Sequence, residues 1–252
     1  MLSHLLIVLV ETSHPGNIGS TARAMKNMGL KRLALVAPRE FPHEEATALA
    51  AGADDVLAEA RVFDTLDDAI APCHLVFGTT ARPRHNEAPS LTPRDAAAMV
   101  LREAYLGLNV ALVFGTERTG LTNAELDRCR HAVRIPANPE FSSLNLAQAV
   151  QVLTYELRLA SLELVEPDLP SEPRDLASAG DFEGFMGHLE RTLGLIDFYK
   201  GREYTRLLQR FRRLYQRAAL DRQEVQLLRG MLAEAERAAR IAAATRNPPG
   251  SV

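Results

Sequence analysis

Tryptophan is absent from this 252-residue chain, and cysteine occurs only at Cys73 and Cys129. Two cysteines with no CxxC pair and no Cys/His ligand spacing argue against a disulfide framework or a zinc module. Long apolar runs are missing as well. Leu5–Val10, the longest early one, is far short of the roughly 20 residues that a membrane span requires. It has no basic leader and no small-residue cleavage site. A cytoplasmic protein without a membrane segment is therefore expected. No G-x-G-x-x-G occurs anywhere, so the dinucleotide fingerprint is missing. His14, His43, His74 and His85 stand at unrelated spacings, with no Ser/His/Asp constellation, paired-carboxylate motif or metal box. No metal is expected, and the reactivity should come from a bound cofactor and not from a protein nucleophile.

What is present describes a globular chain. Apolar residues make up 46% and charged residues 24%, with length enough for one sizeable domain and a smaller one. The net charge of -3 conceals an asymmetry. Residues 200–252 hold 12 Lys+Arg against 5 Asp+Glu, whereas residues 1–199 hold 17 against 27. A basic tail on an acidic body points to an anionic partner; a solvated Arg-rich helix face explains the charge equally well.

The first two-thirds alternates short apolar strands with helices. Strands are expected at Leu5–Val10, Arg32–Val36, Leu75–Gly78, Val110–Gly115 and Ala132–Ile135. Helices are expected at Ile18–Met28, Glu44–Ala51, Arg94–Ala104, Asn123–Cys129 and Leu144–Leu164. Continuous apolarity within the strands fits burial on both faces, and the alternation predicts an α/β fold with a mainly parallel sheet. "VEPDLPSEPRDLASAGD" then reads as a linker, and the chain becomes wholly helical. There Arg202, Arg206, Arg210, Arg213 and Arg217 line one helical stripe. "NPPGSV" reads as a frayed end.

Three strand ends carry unusual loops, which is where open α/β sheets bind ligands. In "HPGNIGSTARAMKNMG", a helix starting near Asn17 puts Asn17, Ser20, Arg23 and Asn27 on one polar face, with Lys26 beside Arg23. Small neighbours would leave a ligand room to reach the guanidinium, whose planar fork suits phosphate. A helix with a surface arginine is the plainer alternative. "VFGTERTGLTNAEL" contains a G-x-x-x-x-G, but Leu121 and Thr122 stand where a P-loop needs Lys, so nucleotide triphosphate binding is rejected. A glycine turn capped by Thr122 or Asn123 remains. In "IPANPEFSSLNLAQAVQVLTYELR" two prolines stiffen a loop, and Ser143 is a candidate helix cap, with Asn145 and Gln148 on the first turn.

Together these segments resemble the three signature motifs of the SPOUT superfamily, in its ribose 2'-O-methyltransferase branch. They are most similar to the tRNA (cytidine/uridine-32-2'-O)-methyltransferase family, with "AGADDVL", "GTTARPR" and "NLAQAVQVLTYELR" in support. The resemblance covers about residues 4–165. It implies a deep trefoil knot at the C-terminal end of the α/β domain, a homodimer, S-adenosyl-L-methionine as cofactor and tRNA as substrate. Spacing alone could not have suggested a knot.

By position, the resemblance implies that Thr79, Thr80, Ala81, Gly115, Ile135, Ser142, Ser143, Leu144 and Asn145 hold the cofactor. It implies that Arg23, beside Asn17, acts at the ribose hydroxyl, and that Ser142 contacts the substrate. Arginine is a poor base, so holding phosphate and stabilising negative charge on oxygen is the defensible role. The Arg202–Arg217 stripe, with Arg82 and Arg84, is the expected tRNA surface. The expected organisation is a methyltransferase domain at 1–165, a linker at 166–181, a small all-α region at 182–246 and a tail at 247–252. Alternatives are methylation of another tRNA or rRNA position, or an RNA-binding SPOUT protein without catalysis.

Overall fold

The structure, a computed structural model, describes residues 1–81, 90–163, 175–201 and 203–246. It divides into two compact units, Met1–Pro173 and Arg174–Val252.

The first unit contains strands β1 (Leu5–Val10), β2 (Arg32–Val36), β3 (Arg61–Phe63), β4 (Leu75–Thr79), β5 (Ser90–Leu91), β6 (Val110–Phe114) and β7 (His131–Val133). Between them run helices α1 (Pro15–Asn27), α2 (Glu44–Ala50), α3 (Asp54–Ala58), α4 (Leu66–Ile70), α5 (Pro93–Tyr105) and α6 (Asn123–Arg128), and α7 (Leu146–Glu163) follows β7. The strands form one sheet in the order β3-β2-β1-β6-β4-β7-β5. Every pairing in it is parallel. The central strands β1 and β6 are buried at each residue, as their unbroken apolar runs require.

The five expected strands are present. The two unexpected ones, β3 and β5, have three and two residues and lie at the sheet edges, too short for any pattern to show. Helices α3 and α4 escaped for the same reason, with five residues each.

Helix α1 begins earlier than expected, with Pro15 in its first turn, where a missing N–H costs nothing. Its small residues other than Ser20 serve packing. Thr21, Ala22 and Ala24 are buried, with α1 packed between α2 and α7. A Cβ at Gly19 would lie 2.0 Å from the carbonyl oxygen of Ala46 on α2, so only glycine admits the crossing. What remains outward is the polar stripe of Asn17, Ser20, Arg23, Lys26 and Asn27. Lys26 is engaged elsewhere, donating to Gly52 O (2.9 Å) and Asp55 Oδ1 (2.8 Å).

The second unit is a bundle of α8 (Ala179–Leu195), α9 (Tyr204–Ala218) and α10 (Arg222–Arg246). Helix α8 starts inside the stretch expected as linker. Ser178 and Asp181 form a reciprocal capping box there, and Leu176 bridges to Asp221. Phe185, Met186, Leu189, Leu193, Val225 and Leu232 form the core, with Tyr215 edge-on to Phe185 at 4.9 Å. Arg212 clamps Glu183 with both terminal guanidinium nitrogens. Residues 166–174 of the expected linker and the 247–252 tail lie outside the described residues.

Candidate functional site

The loops after β4, β6 and β7 open onto one pocket. Thr79, Thr80 and Ala81 reach it from the end of β4, Gly115 and the turn 116–121 from β6, and Ile135 with Ser142, Ser143 and Leu144 from the loop after β7. Eight of the nine expected cofactor residues therefore meet. The ninth, Asn145, is not on the wall.

Each loop is locally fixed. Thr79 Oγ1 donates to Val113 O (3.1 Å), tying β4 to β6, and Thr80 N donates to Val133 O (3.0 Å), tying it to β7. The glycine turn closes on itself. Gly120 N donates to Thr116 O (3.0 Å), and Gly120 has φ +68. A Cβ on Gly115 would fall 2.2 Å from Gly120 C and Leu121 N, so the turn can fold back only over a glycine. Thr122 then caps α6 with Glu125 in a reciprocal box. The cap of α7 is Asn145 and not Ser143. Asn145 Oδ1 accepts from Ala147 N (2.9 Å) and Gln148 N (3.3 Å).

Glu117, which composition and spacing did not single out, joins the segment after β1 to the glycine turn after β6. Its carboxylate accepts from Ser13 N (3.1 Å), Ser13 Oγ (2.9 Å), His14 N (3.3 Å) and Asn17 Nδ2 (3.0 Å). Burial pushes this carboxyl up, but the hydrogen bonds from Asn17 and Ser13 outweigh it and hold the group below the ordinary carboxylate range. Asn17 completes the connection, its Oδ1 accepting from Asn145 Nδ2 at 2.9 Å. Both ends of the Asn17 amide thus hydrogen-bond within the protein. The one sequence signal for Glu117 was a lone carboxylate inside a glycine turn. Its donors lie about a hundred residues away and carried no mark.

Arg23 is exposed six residues along α1 from Asn17, outside the pocket wall, with no ion pair to another described residue. The remaining expected cations divide. Arg206 pairs with Glu203 (3.1 Å). Arg210, Arg213 and Arg217 have no counter-ion among the described residues. Arg82, Arg84 and Arg202 lie outside the described residues.

The pocket wall combines apolar side chains (Phe114, Leu121, Val133, Ile135, Leu144, Leu146) with the hydroxyls of Thr79, Thr80, Thr116, Thr119, Ser142 and Ser143. Such a wall suits a flat ring with polar edges. Both thiols are kept protonated by burial, Cys73 at about 11 and Cys129 higher, so neither is a nucleophile. Among the described residues no cluster of three His, Cys, Asp or Glu side chains could hold a metal ion. None of their helices is long and apolar enough to cross a membrane.

This strand order and this pocket define an α/β protein with a ligand pocket at the carboxyl ends of its strands. The chain belongs to the SpoU rRNA Methylase family, which it matches over residues 4–155. Residues 180–244 match a second family, the C-terminal domain of the tRNA methyltransferase TrmJ. The chain is 49% identical over 248 residues to the tRNA (cytidine/uridine/adenosine-2'-O-)-methyltransferase TrmJ of Pseudomonas aeruginosa, covering 95% of this chain and 96% of that protein. It is 50% identical over 240 residues to the tRNA (cytidine/uridine-2'-O-)-methyltransferase TrmJ of Yersinia pestis, covering 94% and 93%. Among solved structures, TrmJ from Z. mobilis ZM4 superimposes with a TM-score of 0.80 at 36% identity, covering 92% of this chain and 98% of that one.

Proposed function

We propose that this chain methylates a ribose 2'-hydroxyl of tRNA, at nucleotide 32 of the anticodon loop, with S-adenosylmethionine as the donor. The carrying observation is the convergence of loops from distant parts of the chain. Those after β4, β6 and β7 share one wall, and the Asn17–Asn145 and Asn17–Glu117 hydrogen bonds fasten the start of α1 to it. The near-full-length relatives, whose names state tRNA 2'-O-methylation, support the substrate class.

The residues fit the donor. The apolar wall takes the adenine face, and the loop hydroxyls and peptide groups take its polar edges. When bound, the donor supplies an electrophilic methyl on a sulfonium, so the protein needs no nucleophile of its own. Its tasks are alignment of the ribose oxygen and exclusion of water. Arg23 holds phosphate and stabilises negative charge on the 2'-oxygen. Glu117 is saturated by its four donors and held ionised, so it scaffolds the site and does not accept the substrate proton. Ser142, on the wall beside Ser143, faces the substrate.

The same reading includes the deep trefoil knot. β7 lies between β4 and β5, strands laid down much earlier, which is the order a threaded segment needs. It includes a homodimer, supported by the exposed Tyr155 and Leu162 on α7, which light scattering would report as a doubled mass. It assigns the α9 arginines to tRNA and the activity to the cytoplasm. Ribose-methylation mapping of tRNA and rRNA, from cells with and without the protein, tests the whole. Loss at nucleotide 32 alone is expected. Loss at another tRNA site or in rRNA relocates the target, and no loss anywhere overturns the function.

A further inference from the structure

Among the described residues, the pocket wall carries one acid and one base, and they are neighbours: Glu117 and Arg118. Glu117 does not neutralise Arg118. Its oxygens are taken by Ser13, His14 and Asn17, and Arg118 forms no ion pair or hydrogen bond with another described residue. Arg118 is exposed, at the tip of a turn that is itself braced. The Thr116 and Thr119 hydroxyls lie 2.8 Å apart, Thr119 N donates to Thr116 Oγ1 (3.2 Å), and the 116–120 backbone bridge closes the loop. A free guanidinium is thus held on the wall of a pocket whose other lining is hydroxyl and apolar, apart from the Glu117 carboxylate already taken by its own donors.

A lone cation on that wall is a puzzle for the donor proposed above. S-adenosylmethionine carries two positive groups, the sulfonium and the α-ammonium, against one carboxylate, so an unspecific positive charge would repel it. Arg118 favours binding only if it meets the single anionic group. Its planar fork matches a carboxylate with two parallel hydrogen bonds, a geometry that lysine cannot reproduce.

We propose that Arg118 anchors the α-carboxylate of the donor's methionyl arm, and so selects ligands that carry an intact amino-acid end. This rests on the S-adenosylmethionine reading. The demethylated product keeps that carboxylate and is held by the same contact.

Calorimetric binding of S-adenosylmethionine and its decarboxylated analogue to the full chain tests this without reference to activity. Wild type should prefer the intact compound by about tenfold to a hundredfold, as expected for a charge-assisted pair. Arg118→Ala should lose that preference by weakening only the intact compound, and the analogue should bind as tightly as before or tighter. Arg118→Lys should keep a part of the preference. Thermal melts without ligand confirm that each variant is folded. The proposal is overturned if Arg118→Ala keeps the wild-type preference or weakens both compounds equally. It is also overturned if both affinities survive and only tRNA binding falls, because the guanidinium then serves a phosphate. Failure of the wild-type protein to bind either compound would instead overturn the cofactor reading itself.

Discussion

Asn145 Nδ2 donates to Asn17 Oδ1 across 2.9 Å, joining residues 128 positions apart in the chain. The other oxygen of this pair, Asn145 Oδ1, caps α7, and the other nitrogen, Asn17 Nδ2, donates to Glu117. Two amides and one carboxylate therefore link the start of α1, the glycine turn and the start of α7 into one unit. Displacing any member shifts the other two, since Asn17 is hydrogen-bonded to both of its partners at once.

Glu117→Ala should show the strength of that link. It leaves Ser13 N and His14 N without their acceptor, at a cost of about 1–3 kcal/mol read from urea unfolding. Because the native carboxyl is held below its ordinary value, the stabilisation is complete above the unfolded-state value and is lost as pH falls through the lower native one. An unfolding free energy for Glu117→Ala equal to wild type at pH 7 would show that these bonds contribute nothing.

Arg23→Ala should reduce methyl transfer by at least about a hundredfold, the scale of removing one donor that stabilises an oxyanion. Its affinity for S-adenosylmethionine should stay near wild type, because Arg23 is not on the pocket wall. Calorimetry showing weakened cofactor binding with unchanged turnover would contradict this assignment.

Gly115→Ala should abolish cofactor binding. The added Cβ meets backbone at 2.2 Å, which no rotamer can relieve, so the 116–120 turn must open. Fluorescence or calorimetric titration would read the loss. Wild-type affinity would mean that the turn is dispensable.

Reversal of charge at Arg210, Arg213 and Arg217 should weaken tRNA binding and flatten its dependence on salt. Each lost phosphate contact removes about 0.7–0.9 from the slope of log K against log salt. Arg206, which already pairs with Glu203, should contribute less. A slope identical to wild type would return the stripe to a solvated helix face.

His131 should make the protein acid-sensitive. Burial, with the charge of Arg130 beside it, lowers its pKa to about 4, and its ring stacks on Phe77 at 5.1 Å. The unfolded chain binds this proton near pH 6.5 and the native one only near 4, so stability falls as pH drops through that window. His131→Gln should flatten the profile of melting temperature between those values. An unchanged profile would assign the acid sensitivity elsewhere.

Much of the fold was legible because its elements bury continuous apolar runs. β1 and β2 match their expected ends residue for residue, since six and five apolar-rich residues between polar turns leave little freedom. The edge strands β3 and β5 and the short helices α3 and α4 were not legible, because a few residues cannot display a period. The helix cap shows the limit differently. Ser143 and Asn145 are both good caps by type, and Asn145 was selected because its free nitrogen could reach Asn17.

The amino-acid order alone determined the alternation of strands and helices, the three loops at strand ends, the basic helical tail and the family those motifs resemble. All of these depend on residues close together in the chain. Only the folded chain decided which loops share a wall, that the small residues of α1 admit α2, and that Glu117 binds Ser13 and Asn17. Those facts depend on distances between groups a hundred residues apart, which hydrophobic burial brings together but which no local pattern encodes.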